Sequence, residues 1–311
     1  MAERLLTVTD LSTHFFTHAG VVRAVNGVSF TLDRGETLGI VGESGSGKTV
    51  AALSLMRLIP DPPGKIVEGS IMLGDRDLRT LNDLEIRQVR GNDIAMIFQD
   101  PMTSLNPVVK VGKQIAEAIT LHQGRSQDEA WRLAADLLAR VGIPDAPARV
   151  KQYPFEFSGG MRQRVMIAMA ISCNPDILIA DEPTTALDVT IQAQIIDVIE
   201  EMQEGYESAV ILITHDLGLV AEIADKVMVM YGGRTVEYGD IDEIFYNAHH
   251  PYTWGLLGSL PRLDRKTRLT PIKGQPPDLI SLPDGCPFCS RCAYERSECR
   301  DQWPDLEIVG P

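Results

Sequence analysis

A glycine-rich segment at residues 42–49 has the residue types and spacing needed to hold phosphate groups. It reads Gly-Glu-Ser-Gly-Ser-Gly-Lys-Thr and matches the pattern G-x-x-x-x-G-K-[ST] between an apolar run and a helical pattern. Lys48 would reach the β- and γ-phosphates of a nucleotide, and the Thr49 hydroxyl would ligate Mg²⁺. The alternative is a plain glycine-rich turn, but in a chain of this length the pattern arises by chance with a probability on the order of one per cent. The candidate nucleotide-binding residues of this segment are Gly42, Ser44, Gly45, Ser46, Gly47, Lys48 and Thr49.

Two carboxylates follow another apolar run. Residues 177–180 are Ile-Leu-Ile-Ala, and Asp181 and Glu182 come directly after them. Beside a phosphate loop, Asp181 can hold Mg²⁺ directly or through water. Glu182 is then placed to polarise the attacking water as a general base. Taken alone, the pair is equally consistent with an acidic loop after a strand.

A serine and two glycines mark the start of a third element. Ser158, Gly159 and Gly160 precede an apolar helical pattern that runs to Cys173. Ser158 is a good N-cap for that helix, and the backbone donors and positive dipole end of such a helix start suit a γ-phosphate. By itself the signal is weak, because Ser-Gly-Gly is common in loops.

Four short apolar runs place these residues. Apolar runs without polar alternation are typical of central strands in a parallel sheet that helices cover on both faces. The runs are residues 38–41, 94–98, 177–180 and 210–214, and they end at Gly42, Gln99, Asp181 and His215. Since ligands bind beyond the carboxyl ends of such strands, we expect these end residues to lie at one site.

The predicted fold class is therefore α/β. Residues 5–33 alternate apolar and polar side chains and predict antiparallel strands, whereas residues 100–165 read as a helical insertion whose clearest helix start is the capping box at Ser126. Prolines accumulate beyond about residue 255 and mark an irregular extension that carries most of the cysteines. We expect one domain over residues 1–255 and the extension over residues 256–311.

Composition and charge exclude several classes of protein. A chain of 311 residues, 44% of them hydrophobic, has the length of two domains or of one enlarged α/β domain. The formal net charge of −14 lacks the basic footprint of a nucleic-acid-binding protein, so we expect no nucleic-acid partner. No apolar run approaches the roughly 18 residues of a membrane span, and the first residues show no signal peptide. We expect a cytosolic chain that reaches a membrane only through a partner.

Four cysteines lie close together in the extension: Cys286, Cys289, Cys292 and Cys299 fall within 14 residues. In a reducing cytosol such a cluster indicates a metal or iron–sulfur site before disulfides. The C-x₂-C-x₂-C spacing resembles the ligand run of [4Fe–4S] proteins, four thiolates also suit tetrahedral Zn²⁺, and a cluster without metal is the third alternative. The fifth cysteine, Cys173, reads as a small buried hydrophobic residue.

The motifs together resemble the ATP-binding subunits of ABC transporters. The phosphate loop, Gln99, the Ser158 segment, Asp181 with Glu182, residues 186–188 and His215 occur in that family's order over about residues 5–250. The resemblance implies a phosphate-loop (RecA-like) ATPase core with an antiparallel β subdomain and a helical subdomain. It also implies a head-to-tail dimer with ATP between the phosphate loop of one subunit and the signature segment of the other.

The family's residue roles carry over by position. The resemblance makes Gln99 the residue that senses Mg²⁺ and faces the membrane subunits, and Asp188 a residue of the dimer interface. Ser158, Gly159 and Gly160 would contact the γ-phosphate bound by the partner, and His215 would hold the γ-phosphate in its own subunit. An isolated histidine after a strand is more often structural, so the role of His215 depends on the whole set of motifs.

An aromatic residue is expected to stack on adenine. Phe16 is the candidate, Phe15 is the rival, and a plain core phenylalanine is the alternative for both. The signature departs from the family's usual Leu-Ser-Gly-Gly-Gln at Phe157 and Met161. The phosphate-contacting serine and glycines are kept, so the methionine affects only the strength of the partner's composite site.

Three further stretches resemble the branch of the family that imports dipeptides, oligopeptides or nickel, including its dipeptide-permease members. They are residues 97–107, residues 183–190 and residues 250–253, the last followed by Leu256, Leu257 and Pro261. The resemblance implies ATP-powered peptide import with a second related ATPase, two membrane permease subunits and an external peptide-binding protein. It places the chain at the cytoplasmic face of the bacterial inner membrane.

Some members of this branch carry a [4Fe–4S] cluster. Their usual ligands match Cys286, Cys292 and Cys299, with a further cysteine later in the chain. This sequence has Cys289 instead, so either Cys289 is the fourth ligand or the last ligand has been lost.

The sequence is also consistent with other functions. The solute could be nickel or another small molecule of the same branch, or the cysteines could form a redox sensor that gates the ATPase. A soluble ABC ATPase acting on nucleic acid or ribosomes usually has two cassettes or a long coiled coil, and this sequence has neither.

Overall fold

The computed structural model describes residues 3–184, 189–259 and 271–309 of the chain. Its strands are β1 (Arg4–Thr17), β2 (Gly20–Asp33), β3 (Thr37–Val41), β4 (Gly64–Leu73), β5 (Arg76–Asp77), β6 (Ile94–Ile97), β7 (Ile177–Asp181), β8 (Ala209–Ile213), β9 (Lys226–Tyr231) and β10 (Arg234–Asp240). Its helices are α1 (Lys48–Leu55), α2 (Asp83–Val89), α3 (Pro101–Ser104), α4 (Val111–Gln123), α5 (Gln127–Arg140), α6 (Ala146–Arg149), α7 (Gly159–Ile171), α8 (Val189–Tyr206), α9 (Leu217–Ile223), α10 (Ile241–Tyr246), α11 (Pro251–Gly258) and α12 (Glu298–Asp301).

The chain forms two compact units. The helix-rich unit consists mainly of Leu81–Ile211 and includes Asp33–Glu36. The phosphate-loop unit consists of Arg4–Leu32, Thr37–Thr80 and the described part of Leu212–Pro311.

The helix-rich unit is built on buried strands. β7 lies between β8 and β6, and β6 and β7 run parallel, with Ile94 opposite Ile177 and Ile97 opposite Ala180. Every residue of β6 and β7 is buried, which suits apolar runs that helices cover on both faces. The strands predicted from these runs are confirmed.

The helices predicted between residues 100 and 165 are present as α3 to α7. α5 begins with the expected capping box, in which Ser126 Oγ accepts from Glu129 N and Glu129 Oε2 accepts from Ser126 N. The apolar helix after Ser158 is shorter than predicted, because α7 ends at Ile171 and not at Cys173. The reason is Asn174, whose backbone takes a left-handed φ of 50° and terminates the helical run.

The phosphate-loop unit contains a four-stranded sheet in the order β2, β1, β4, β5. β1 and β4 pair antiparallel from Leu6 opposite Leu73 to Phe15 opposite Gly64, with shifts of register around Ser12. This arrangement confirms the antiparallel strands predicted for residues 5–33. In the same unit, β3 and β9 run parallel, and β9 pairs antiparallel with β10.

The described part of the C-terminal extension has little regular structure. Residues 271–309 contain a 3₁₀ turn at Cys289–Arg291 and the short helix α12. Backbone contacts hold this segment to its own unit, for example the Arg23 amide donating to the Leu279 carbonyl at 3.1 Å. Among the described residues, no helix has the length and apolar character needed to cross a lipid bilayer.

Candidate nucleotide-binding site

Glycines shape the phosphate loop between β3 and α1. Gly47 is the N-cap of α1 with φ of 104°, and a Cβ at this position would lie 2.3 Å from the Ala24 carbonyl oxygen. A Cβ at Gly42 would lie 2.3 Å from the Met230 carbonyl oxygen. Only glycine fits these two positions without displacing backbone.

Two polar side chains of the loop, Lys48 and Ser46, are buried. Lys48 is 7% exposed, and its Nζ donates to the carbonyl oxygens of Gly42 at 2.7 Å and Glu43 at 3.0 Å. Ser46 Oγ is buried and has no hydrogen-bond partner among the described residues. A buried hydroxyl without a partner costs free energy unless a ligand supplies one. The loop therefore fits a phosphate-bearing ligand, and Thr49, the proposed Mg²⁺ ligand, lies at the start of α1.

The acidic end of β7 lies in the helix-rich unit. Asp181 is 1% exposed, whereas Glu182 is partly exposed and has a left-handed backbone φ of 48°. Such a conformation in a residue other than glycine costs about 1–3 kcal/mol and is found preferentially at functional sites. Gln99, two residues after β6, donates from Nε2 to Glu182 Oε2 at 2.8 Å. The structure thus brings Gln99 and Glu182 together, as expected for the ends of two neighbouring parallel strands.

The start of α7 is open to a ligand. Ser158 Oγ accepts from Met161 N at 3.3 Å, which confirms Ser158 as the N-cap. Ser158 and Gly159 are exposed and Gly160 is partly exposed. Gln163, one turn further on, is buried and donates from Nε2 to the Pro183 carbonyl at 2.9 Å. Gln163 therefore joins α7 to the loop that follows Glu182, a role that the sequence pattern did not indicate.

His215 and Phe16 belong to the phosphate-loop unit. His215 is exposed and lies two residues after β8, and the next residue, Asp216, caps α9 by accepting from Gly218 N at 2.9 Å. Phe16 is 52% exposed, so it is not a core residue, whereas Phe15 is partly buried. Asp188 lies outside the described residues.

Two residues that sequence reasoning missed support the phosphate loop. Tyr252 is fully buried, and its hydroxyl accepts from the Glu43 amide at 2.7 Å. Arg291 forms an ion pair with the Glu43 carboxylate. The one available signal was the position of Tyr252 in the stretch 250–253, which resembled the importer branch.

The four cysteines of the extension lie in one small cluster. The Cys286 amide donates to the Cys299 carbonyl at 2.8 Å, and the amides of Cys289 and Cys292 donate to the carbonyls three residues before them. Burial, reinforced by the neighbouring thiols, raises the pKa of Cys286 and raises the pKa of Cys289 to about 11. None of the four forms a disulfide. Among the described residues, no three His, Cys, Asp or Glu side chains are arranged to hold a metal ion.

The fold and these local geometries define a phosphate-loop nucleotide-binding ATPase. A family model described as ABC transporter matches residues 25–185, and one described as the C-terminal region of oligopeptide/dipeptide transporters matches residues 236–299. The chain belongs to the ABC transporter family, as one of its ATPases, which act on ATP with Mg²⁺. The family predicted from the motifs is confirmed.

Named relatives cover nearly the whole chain. The dipeptide transport ATP-binding protein DppD of Bacillus subtilis strain 168 is 54% identical over 307 residues, 98% of this chain and 92% of that protein. The oligopeptide transport ATP-binding protein OppD of Salmonella typhimurium strain LT2 is 52% identical over 311 residues, 100% of this chain and 92% of that protein.

Solved structures show the same fold. The dimeric ATP-binding cassette MJ0796 bound to ADP and Pi has a TM-score of 0.69 at 24% identity, covering 76% of this chain and 98% of that one. The cassette cbiO1 of Clostridium perfringens has a TM-score of 0.63 at 26% identity, covering 78% of this chain and 91% of that one. The predicted α/β cassette fold is confirmed.

Proposed function

We propose that this chain is the ATP-hydrolysing subunit of an importer of dipeptides or oligopeptides. The observation that carries the proposal is the match of residues 236–299 to the oligopeptide/dipeptide transporter C-terminal region, in a chain that also has an intact phosphate loop. The names of the two relatives agree with it. In this proposal ATP binding closes a dimer of ATPase subunits, and hydrolysis reopens it.

We assign each of these residues the role that its motif implies. Lys48 stabilises charge on the transferring phosphoryl group. Thr49, Gln99 and Asp181 are each proposed as Mg²⁺ ligands, and Mg²⁺ would add charge stabilisation when bound. Glu182 accepts a proton from the attacking water, with Gln99 orienting its carboxylate.

Further roles follow from exposure and from the family motifs. His215 is exposed after β8 and would donate a hydrogen bond to the γ-phosphate. Ser158, Gly159 and Gly160 would contact the γ-phosphate bound by a partner subunit, and Phe16 offers an exposed ring to adenine. Asp188, which lies outside the described residues, keeps its proposed place at the dimer interface.

The proposal includes partners and location. ABC transporter ATPases of this kind act with membrane permease subunits. We further assign a second related ATPase in a heterodimer, an external peptide-binding protein, and a peripheral position on the cytoplasmic face of the bacterial inner membrane. We keep the proposed division into an ATPase domain (residues 1–255) and an extension (residues 256–311).

A transport measurement tests this function. Vesicles containing the complete importer would be given labelled dipeptides and oligopeptides, with ATP on the side of the ATPase subunits. We expect ATP-dependent accumulation that is lost in Lys48→Ala and kept in the matched control Lys151→Ala, which changes an exposed lysine of the helix-rich unit. ATP hydrolysis without peptide accumulation would contradict the peptide assignment.

We also propose that the four clustered cysteines bind a [4Fe–4S] cluster, with Zn²⁺ as the alternative. The support is the number of cysteines and their C-x₂-C-x₂-C spacing, because four thiolates suit either group. Because burial raises the pKa of Cys286 and of Cys289, metal binding at these two thiols must displace protons.

Iron, sulfide and zinc content of anaerobically purified protein distinguishes these possibilities. We expect about four irons and four sulfides per chain, with loss of the cluster in Cys289→Ser but not in Cys173→Ser. One zinc per chain without sulfide would show a Zn²⁺ site and contradict the iron–sulfur assignment. Protein without iron and without zinc would contradict both assignments.

A further inference from the structure

Glu43, the second residue of the phosphate loop, is held by a buried arginine from the C-terminal extension. Arg291 Nη1 donates to Glu43 Oε2 at 2.5 Å, and Nη2 donates to Glu43 Oε1 at 2.8 Å. This is the bidentate geometry in which a guanidinium binds a carboxylate most specifically. The Arg291 side chain is 2% exposed and that of Glu43 is 26% exposed.

The guanidinium of Arg291 is itself fixed on its other sides. Its Nε donates to the Lys273 carbonyl at 2.8 Å, and Nη1 also donates to the Tyr231 hydroxyl at 3.2 Å. The charge lies 5.7 Å from the ring centre of Tyr231 and 5.8 Å from that of Phe288, within the range of cation–π attraction. Arg291 is therefore a rigid anchor and not a flexible surface arginine.

The backbone of Glu43 is held by the same part of the unit. Its amide donates to the hydroxyl of the fully buried Tyr252 at 2.7 Å. The Tyr252 ring packs against Tyr231 and Phe288 at centroid distances of 4.5 and 5.4 Å. The Glu43 amide is thus held by Tyr252, and the Glu43 carboxylate by Arg291. Both partners pack against the same two rings, those of Tyr231 and Phe288.

Glu43 in turn determines the shape of the phosphate loop. Its carbonyl oxygen accepts from Lys48 Nζ at 3.0 Å and from the Ser46 amide at 3.2 Å. A displacement of Glu43 would therefore move the lysine that reaches the phosphates and the turn that presents Ser46.

We propose that Arg291 is a positioning residue for ATP binding: through Glu43 it holds the phosphate loop in its binding conformation, so that the C-terminal extension sets the affinity for nucleotide. The inference rests on the proposed function, because it takes the phosphate loop as the ATP site. Preorganising a loop lowers the ordering cost that binding must otherwise overcome. Loss of Arg291 also leaves the Glu43 carboxylate without its charged partner.

The test uses the full chain and measures the Kd for Mg²⁺ with the non-hydrolysable analogue AMP-PNP. We expect Arg291→Gln to raise the Kd about tenfold and Arg291→Lys to raise it less, because lysine keeps the charge but loses the bidentate contact. The matched control is Arg300→Gln, which removes another arginine–glutamate pair of the same extension, formed with Glu295. Its Kd should equal that of the wild type.

A double-variant comparison separates positioning from a general structural role. If Arg291 acts through Glu43, Glu43→Gln alone raises the Kd to the level of Arg291→Gln, and the double variant is no weaker than either. Effects that multiply in the double variant, or a wild-type Kd for Arg291→Gln, would overturn the proposal.

Two controls cover the remaining outcomes. If thermal unfolding shows that Arg291→Gln does not fold, the test uses Tyr252→Phe and Glu43→Gln instead. Tyr252→Phe removes the hydroxyl that accepts from the Glu43 amide. A wild-type Kd in both of these variants overturns the proposal. Absence of nucleotide binding in the wild type would refute the proposed function itself, whereas binding that only Lys48→Ala abolishes would refute the role of Arg291 alone.

Discussion

The phosphate loop and Glu182, the residue that follows β7, differ in the exposure of their side chains and in the contacts that hold them. The loop has two glycines pressed against backbone, a nearly buried lysine and a loop glutamate held on both its amide and its carboxylate. The general base candidate, Glu182, is partly exposed, adopts a left-handed backbone conformation and accepts a hydrogen bond from the exposed Gln99 side chain.

We relate this difference to two steps, nucleotide binding at the loop and ATP hydrolysis at Glu182. A binding loop gains from rigidity, because a preorganised ligand site spends less free energy on ordering. A general base must reach the attacking water, which the partly exposed side chain of Glu182 allows. We therefore expect substitutions at the loop to change nucleotide affinity and substitutions around Glu182 to change kcat.

The largest effect is expected for Glu182→Gln. General acid–base catalysis contributes about 10²- to 10⁴-fold to rate, so kcat for ATP should fall by at least about a hundredfold while the Kd for nucleotide stays near that of the wild type. Steady-state hydrolysis and nucleotide titration on the same preparation check both. The control is Glu201→Gln, which removes an exposed ion pair with Arg140 in the same unit and should keep full activity. Wild-type turnover in Glu182→Gln would remove Glu182 from its role.

A smaller change is expected for Gly47→Ala, and it should appear in affinity. The backbone φ of 104° and the close Ala24 carbonyl oppose a Cβ, and strain of about 2 kcal/mol corresponds to roughly thirtyfold weaker nucleotide binding. Titration with AMP-PNP measures it.

Gly124→Ala is the matched control for Gly47→Ala. Gly124 also has a positive φ, of 64°, but no atom lies within 4 Å of its added Cβ, and it is the C-cap of α4 in the helix-rich unit. It should lower stability without changing the Kd. If both variants bind nucleotide equally well, the loop does not need its glycine for binding.

The smallest effect is expected for Gln99→Ala. Without the hydrogen bond to Glu182, the carboxylate is less well oriented, and kcat should fall about tenfold with a smaller change in KM. Gln123→Ala removes another glutamine of the same unit, one that donates to the Ser172 carbonyl, and should leave kcat unchanged. A change confined to KM would show that Gln99 supports binding and not the geometry of Glu182.

Much of the site could be predicted because its signals are local. The phosphate loop, the carboxylates after residues 177–180 and the Ser158 N-cap are each short contiguous patterns, and their structure follows from hydrogen bonding within a few residues. The end of α7 was predicted two residues too late, because apolar periodicity continues to Cys173 while the left-handed Asn174 stops the helix. The exposure of Phe16 could not be predicted from its position in a strand whose side chains alternate between apolar and polar.

The sequence by itself determined the family, the fold class and the chemistry of the phosphate loop, because these depend on residue types at fixed short spacings. The tertiary structure alone decided which groups support that chemistry. Arg291 and Tyr252 lie 248 and 209 residues from Glu43 in sequence, and Gln99 lies 83 residues from Glu182. No periodicity encodes such pairs, since they form only when distant segments pack together and bury their polar groups against one another.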